Sequence, residues 1–200
     1  ERGNFIVCLL PTIDTETEPV AEAEAVVRYH HKDLGIVDPG RYINLLEETK
    51  LSHYLDLYVF EEVCKTLHRW EISGIPLIPV AVNFAGATLK QESIAEKMLH
   101  LIEKYHVRCE YLEVEVSESG NDMNQEMLAE TSSKIRKANV RVILDHFGAK
   151  DSSFSILSLM EFDGLKLDKS LITNIVGNAR SRIVAQAVID ICRQLGAFVQ

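Results

Sequence analysis

The sequence predicts an α/β fold, a (β/α) barrel that opens with an antiparallel hairpin. Three observations carry this. Short β-like runs alternate with amphipathic helical stretches along the 200 residues, and strand–helix–strand repetition implies parallel pairing through crossover helices. The first two runs are separated by a loop of only hairpin length, which makes that pair antiparallel. Several strands also carry polar groups on one parity, as a shared lumen demands.

The hairpin is Phe5–Ile13 and Val20–Tyr29. Helical patterns follow over Arg41–Leu51 and Ser52–Ile72, the second with Tyr54, Leu57, Tyr58, Leu67 and Trp70 at roughly helical spacing. The strand Pro79–Phe84 then precedes the helix Gln91–Tyr105, and Tyr111–Val116 precedes Asn124–Ala138. Val140–His146 precedes Ser152–Met160, Asp163–Leu167 precedes Asn178–Leu195, and Ala197–Val199 starts a further strand. Low-complexity stretches, Pro/Gly-rich linkers and internal repeats are absent, so residues 1–200 read as one domain. A GxGxxG or Walker-type loop, the mark of an open nucleotide-binding sheet, is also missing.

Strand parity locates a candidate site. Ala23, Ala25 and Val27 oppose Glu22, Glu24 and Arg28; Val80, Val82 and Phe84 oppose Asn83. Leu112, Val114 and Val116 oppose Glu113 and Glu115; Val140, Val142 and Leu144 oppose Arg141 and Asp145; Leu165 and Leu167 oppose Lys166. The apolar parity suits a covering ring of helices. The polar parity ends near the strand C-termini, the rim where α/β barrels build their sites. Carboxylates crowded at one mouth repel, so protons or cations must neutralise them. Oxygen donors from Glu, Asp and an Asn amide suit Mg²⁺, Mn²⁺ or Ca²⁺, and phosphate-ester hydrolysis is the natural chemistry. The same pattern also fits solvated rim groups and internal ion pairs, and the residues alone leave the two open.

Composition narrows the partners. A hydrophobic content of 46% supports a buried core, and a formal charge of -9 argues against a DNA or RNA polymer. The four cysteines (Cys8, Cys64, Cys109, Cys192) form no CxxC pair and read as reduced, mostly buried thiols of a cytoplasmic protein. No apolar run nears the roughly 20 residues that span a bilayer. The chain starts at Glu1 and stops at Gln200 inside an apolar run, so both ends are expected to be cut from a longer protein.

The residues just named resemble the EAL-domain family in order and spacing. Its Glu-Ala-Leu signature with a following Arg resembles Glu24-Ala25-Val26-Val27-Arg28, and its Gly, Pro and Phe-Ile positions resemble Gly35, Pro39 and Tyr42-Ile43. Its Val-Asn, Glu-x-Thr-Glu, Asp-Asp-Phe-Gly-Thr-Gly and Lys-Ile-Asp segments resemble Val82-Asn83, Glu115-Val116-Ser117-Glu118, Asp145-His146-Phe147-Gly148-Ala149-Lys150 with Ser152-Ser153, and Lys166-Leu167-Asp168. The resemblance runs from about Phe5 to the last residue. It implies a TIM-like barrel with one antiparallel strand and hydrolysis of cyclic di-GMP to linear pGpG with Mg²⁺ or Mn²⁺ at two metals. Glu24, Asn83, Glu115 and Asp145 would hold metal, with His146 at the second site. Lys166, with Glu24, would be catalytic, and Arg28 and Asp168 would bind substrate. A homodimer and fused signalling domains are the further partners implied.

Four departures bear on activity. His146 stands where the family has a second Asp; imidazole suits Mg²⁺ poorly, and a rim histidine bonded to a neighbour is the plainer reading. Ala149, Lys150 and Asp151 replace the family's Thr-Gly-Tyr. Leu10 replaces a Gln that contacts the substrate base. Gln200 ends the chain where a later acidic strand is expected, leaving roughly one and a half β-α units short of a barrel of about 250 residues. The resemblance therefore implies either a weak or lost phosphodiesterase, or a silent EAL-like module that binds cyclic di-GMP or a protein partner.

Overall fold

The protein is described from a computed structural model covering residues 4–13, 20–117, 125–149, 154–173 and 175–200. The predicted hairpin loop at 14–19, Asn124, and the motif residues Glu118, Lys150, Asp151, Ser152 and Ser153 lie outside these described residues.

The sheet grows from a hairpin. Strand β1 (Phe5–Ile13) pairs antiparallel with β2 (Val20–His31), with Leu10 opposite Glu24. A three-residue strand β3 (Gly35–Val37), which the sequence did not reveal, adds to the far end of β2. From β2 the sheet continues through β4 (Val80–Phe84), β5 (Leu112–Ser117), β6 (Arg141–Phe147), β7 (Gly164–Leu167) and β8 (Phe198–Val199), every neighbour parallel. The order β1-β2-β4-β5-β6-β7-β8 leaves β1 and β8 as edges, so the barrel is curled but not closed.

Helices α1 (Pro39–Glu48), α2 (Ser52–Ile72), α4 (Ile94–Lys104), α5 (Gln125–Lys137), the short α6 (Ser155–Leu159) and α8 (Ala179–Leu195) lie in the crossovers, with short helices α3 (Gly86–Leu89) and α7 (Lys169–Ile172) directly after β4 and β7. Helix α1 starts two residues earlier than its periodicity suggests, because Asp38 caps it by accepting from Gly40 N and Pro39 presets its first turn. The apolar strand parity packs under the helices as predicted. Val80, Val82, Phe84, Leu112, Val114, Val142 and Leu165 join Phe60, Val63 and Leu67 of α2, Met98 of α4, Leu128 of α5 and Val188 of α8 in one core. Each fully buried Leu or Phe there contributes roughly 1.5–3 kcal/mol.

The polar parity faces the lumen. Its lower layer is filled by pairs: Arg141 with Glu113, and Gln200 Nε2 donating to Glu22 Oε1 at 2.9 Å. The latter bond joins the residue that follows β8 to β2, so the curl brings the distant ends of the sheet together. Phe198 packs over Gly164 so closely that a Cβ there would lie 2.4 Å from its ring.

The cysteines are free thiols, but only Cys64 and Cys192 are buried; Cys109 is half-buried and Cys8 exposed, because Cys8 lies on the uncovered face of an edge strand. Among the described residues no helix is long and apolar enough to cross a membrane.

Candidate active site

Five strands bring Glu24, Asn83, Glu115, Asp145 and Lys166 to one end of the lumen. The alternation of side chains along parallel strands in register fixes this, since Glu24 pairs with Ala81 and Asn83 with Glu115 at the Cα level. Asn83 Nδ2 donates to Glu24 Oε1 at 2.7 Å. Lys166 reaches from β7 to Glu115 on β5, spanning β6, and donates to Glu115 Oε1.

Asp145 keeps the same alternation, in register with Ser117 of β5, but its other neighbour strand does not. The β6–β7 register slips between Leu144 and Phe147, a bulge that takes in Asp145 and His146. His146 sits in the left-handed region at φ 56°, unusual for a residue with a Cβ. Bulges commonly re-aim side chains beside functional sites. Here Asp145 Oδ1 accepts from His146 N at 2.7 Å, and Oδ2 lies 2.7 Å from His146 Nδ1. The exposed imidazole thus leans on its neighbouring carboxylate, as expected of a rim histidine.

The electrostatics follow from burial and crowding. Burial, then the negative fields of Glu24 and Asp145, push the Glu115 carboxyl up to about 7, although the Lys166 ammonium opposes this. Burial works against the Lys166 ammonium, but Glu115, Glu24 and Asp145 together outweigh it and leave the lysine above its ordinary value. Lys166 therefore remains a cation that donates.

The same groups bear on whether a divalent cation fits. Glu115 Oε2 is buried without a hydrogen-bond partner, and the other carboxylates send negative field toward it. Oxygen donors in such a field suit Mg²⁺ or Mn²⁺. Among the described residues, however, no group of three His, Cys, Asp or Glu side chains is gathered closely enough to hold a metal ion. The fit to a hard cation rests on the chemistry of the donor set, three carboxylates with the Asn83 amide, and on the unpartnered Glu115 oxygen.

A cleft of about 930 Å³ opens beside this cluster. Arg28, Asn83 and His146 line it, together with Ile43, Leu46 and Asp56; Asn83 ties this lining to Glu24 of the cluster. Arg28 Nη1 donates to Val27 O at 3.0 Å. Asp168 does not line the cleft. It caps α7, accepting from Ser170 N at 2.8 Å, and this bond with the nearby His146 and Lys169 holds its carboxyl below the ordinary value. Asp56 escaped the sequence reading. Burial pushes its carboxyl up to about 6. The available signal was a carboxylate on the stripe that α2 buries with Ser52, Val59, Val63 and Leu67.

Residues 1–199 match the family model of the EAL domain. The chain is 30% identical over 176 residues to the cyclic di-GMP phosphodiesterase NbdA of Pseudomonas aeruginosa, covering 88% of this chain and 22% of that protein. It is 29% identical over 196 residues to the cyclic di-GMP phosphodiesterase PA2567 of the same organism, covering 98% and 33%. The chain thus spans between about a fifth and a third of these relatives' length. Among solved structures it resembles the EAL enzyme Bd1971 in its cAMP- and cyclic-di-GMP-bound form (TM-score 0.87, 18% identity, 98% of this chain and 54% of that one). It also resembles the PaMucR phosphodiesterase in complex with c-di-GMP (TM-score 0.86, 20% identity, 98% and 79%). At these identities the structures speak for the fold.

Proposed function

Because this chain belongs to the EAL-domain family, we propose that it binds cyclic di-GMP in the cleft beside Asn83 and hydrolyses it, with reduced turnover, to linear pGpG. The observation that carries the reading is Glu115, buried at the lumen mouth with Lys166 on one oxygen and none of the described groups on the other. The names of the curated relatives support the substrate.

In this reading Glu24, Asn83, Glu115 and Asp145 would hold a Mg²⁺ or Mn²⁺ ion, which would have to draw their side chains closer together. When bound, such an ion polarises a phosphoryl oxygen and acidifies water. Lys166 orients the attacking water and stabilises negative charge on the phosphate; being held protonated, it does not act as a base. Arg28, on the cleft wall, pairs with a phosphate oxygen. Asp168, which also caps α7, is the further residue that binds substrate in this reading.

Reduced turnover follows from His146. A second cation needs a carboxylate there, and the imidazole leaning on Asp145 offers none. The same observation favours a second reading, a catalytically silent module that binds cyclic di-GMP or a protein partner. Both readings take residues 1–200 as one EAL-like domain of a longer cytoplasmic signalling protein, with fused domains and a homodimer as its further partners.

The test is Mn²⁺-dependent hydrolysis by the full-length protein alongside calorimetric binding of cyclic di-GMP. Turnover that vanishes in Glu24→Ala supports the enzyme. Binding without turnover supports the silent module, and neither binding nor turnover leaves a protein-interaction role.

A further inference from the structure

Asn83 is the last lumen-facing residue of β4, and the chain turns immediately after it into α3. Ala85 occupies the N-cap position of that helix and has no side-chain oxygen with which to cap it. The anchor comes instead from α2. Asp56 Oδ2 accepts from Ala85 N at 3.0 Å and from Thr88 Oγ1 at 2.5 Å, so one carboxylate oxygen ties both the start and the body of the turn. Thr88 is 1% exposed, which keeps water from competing for its hydroxyl.

This arrangement costs desolvation, because a carboxylate is placed on the buried stripe of α2 where an apolar residue would pack. What it secures is the path by which the backbone leaves Asn83. The Asn83 amide, two residues before the anchored Ala85, donates in turn to Glu24 Oε1. Anchor, turn, amide and carboxylate form one continuous chain of contacts from the outer helix layer to the lumen mouth. We propose that Asp56 is a positioning residue for the Asn83–Glu24 pair: by holding the Ala85–Thr88 turn it aims the Asn83 amide. This rests on the reading that Asn83 and Glu24 help to hold a divalent cation. Groups that orient metal ligands from behind typically alter affinity by about 10–100-fold when removed.

The experiment is Mn²⁺ calorimetry on the full-length protein and its Asn83→Ala, Asp56→Leu, Asp56→Asn and Thr88→Val variants, with folding checked by circular dichroism. Asp56→Leu is expected to weaken Mn²⁺ about tenfold or more. Asp56→Asn should stay near the wild type, because its amide oxygen can accept both bonds, and Thr88→Val should lose part of the affinity. If Asn83→Ala weakens Mn²⁺ but a folded Asp56→Leu does not, the positioning role is overturned and the cation reading survives. If Asp56→Asn loses as much as Asp56→Leu, the carboxylate acts by charge rather than by its bonds, and the proposal fails. Should Asp56→Leu not fold, Thr88→Val decides, and wild-type affinity there overturns the proposal. Unchanged Mn²⁺ affinity in Asn83→Ala overturns the cation reading and this inference with it.

Discussion

Lys166 donates to one oxygen of Glu115 across the lumen, and the other oxygen of the same carboxylate is buried with no hydrogen-bond partner. The Glu115 side chain is 1% exposed and that of Lys166 19%, so water screens the pair poorly. Removing one member of a buried pair leaves an uncompensated charge, a loss of about 3 kcal/mol. Lys166→Met should therefore destabilise the protein by about that much at pH 8. The loss should shrink at pH 5.5, where Glu115 can take up a proton. Urea denaturation at the two pH values checks this; equal losses would mean that charge is not the cause.

His146 sits at φ 56° inside the β6 bulge, a conformation that Asp tolerates better than most residues. His146→Asp should thus fit the backbone while exchanging an imidazole for the carboxylate a second cation needs. We expect a gain of tenfold or more in Mn²⁺-dependent cyclic di-GMP hydrolysis, on the scale of one well-placed electrostatic group. A rate and Mn²⁺ affinity both unchanged would remove the case for a second cation at His146.

Much of this architecture was legible because it is periodic. The α2 span Ser52–Ile72 matched to the residue, and strand parity alone sorted Glu24, Asn83, Glu115 and Lys166 into the lumen. What escaped is set by single long-range contacts. The strand β3 and helices α3 and α7 are only three or four residues long, too short for a period to show. Asp56 gains its meaning only from Ala85 and Thr88, about thirty residues away in sequence. Asp168, placed toward substrate by its motif, also has the spacing to Ser170 of a helix cap, a local signal for the short α7.

Gly164 and Phe198 test whether the lumen is closely packed. An added Cβ at Gly164 would meet the far end of the Phe198 ring, which can swing because it is only partly buried. Gly164→Ala should cost about 1–2 kcal/mol, in the range for overpacking with some relief. In a Phe198→Ala background the same change should be nearly neutral. A double-mutant cycle by thermal unfolding measures the coupling, and additive effects would place the ring elsewhere.

The carboxyls around the site set the pH dependence of stability. Asp56 is raised from 3.8 to about 6, Glu115 from 4.5 to about 7, and Glu113 in the same direction, each chiefly by burial. A carboxyl that holds its proton more tightly when folded adds stability below its unfolded value, and loses it as pH rises through the folded value. In the presence of EDTA the unfolding midpoint should therefore fall between about pH 4 and pH 7, with Asp56 alone contributing on the order of 2 kcal/mol. Asp56→Asn removes that share, so its midpoint should change less across the window than that of the wild type. Mn²⁺ reverses the trend, because cation ligands must be deprotonated and a ligand that binds only the folded state stabilises it. The Mn²⁺-induced rise in midpoint should be larger at pH 8 than at pH 5, and a larger rise at pH 5 would place the cation away from Glu115.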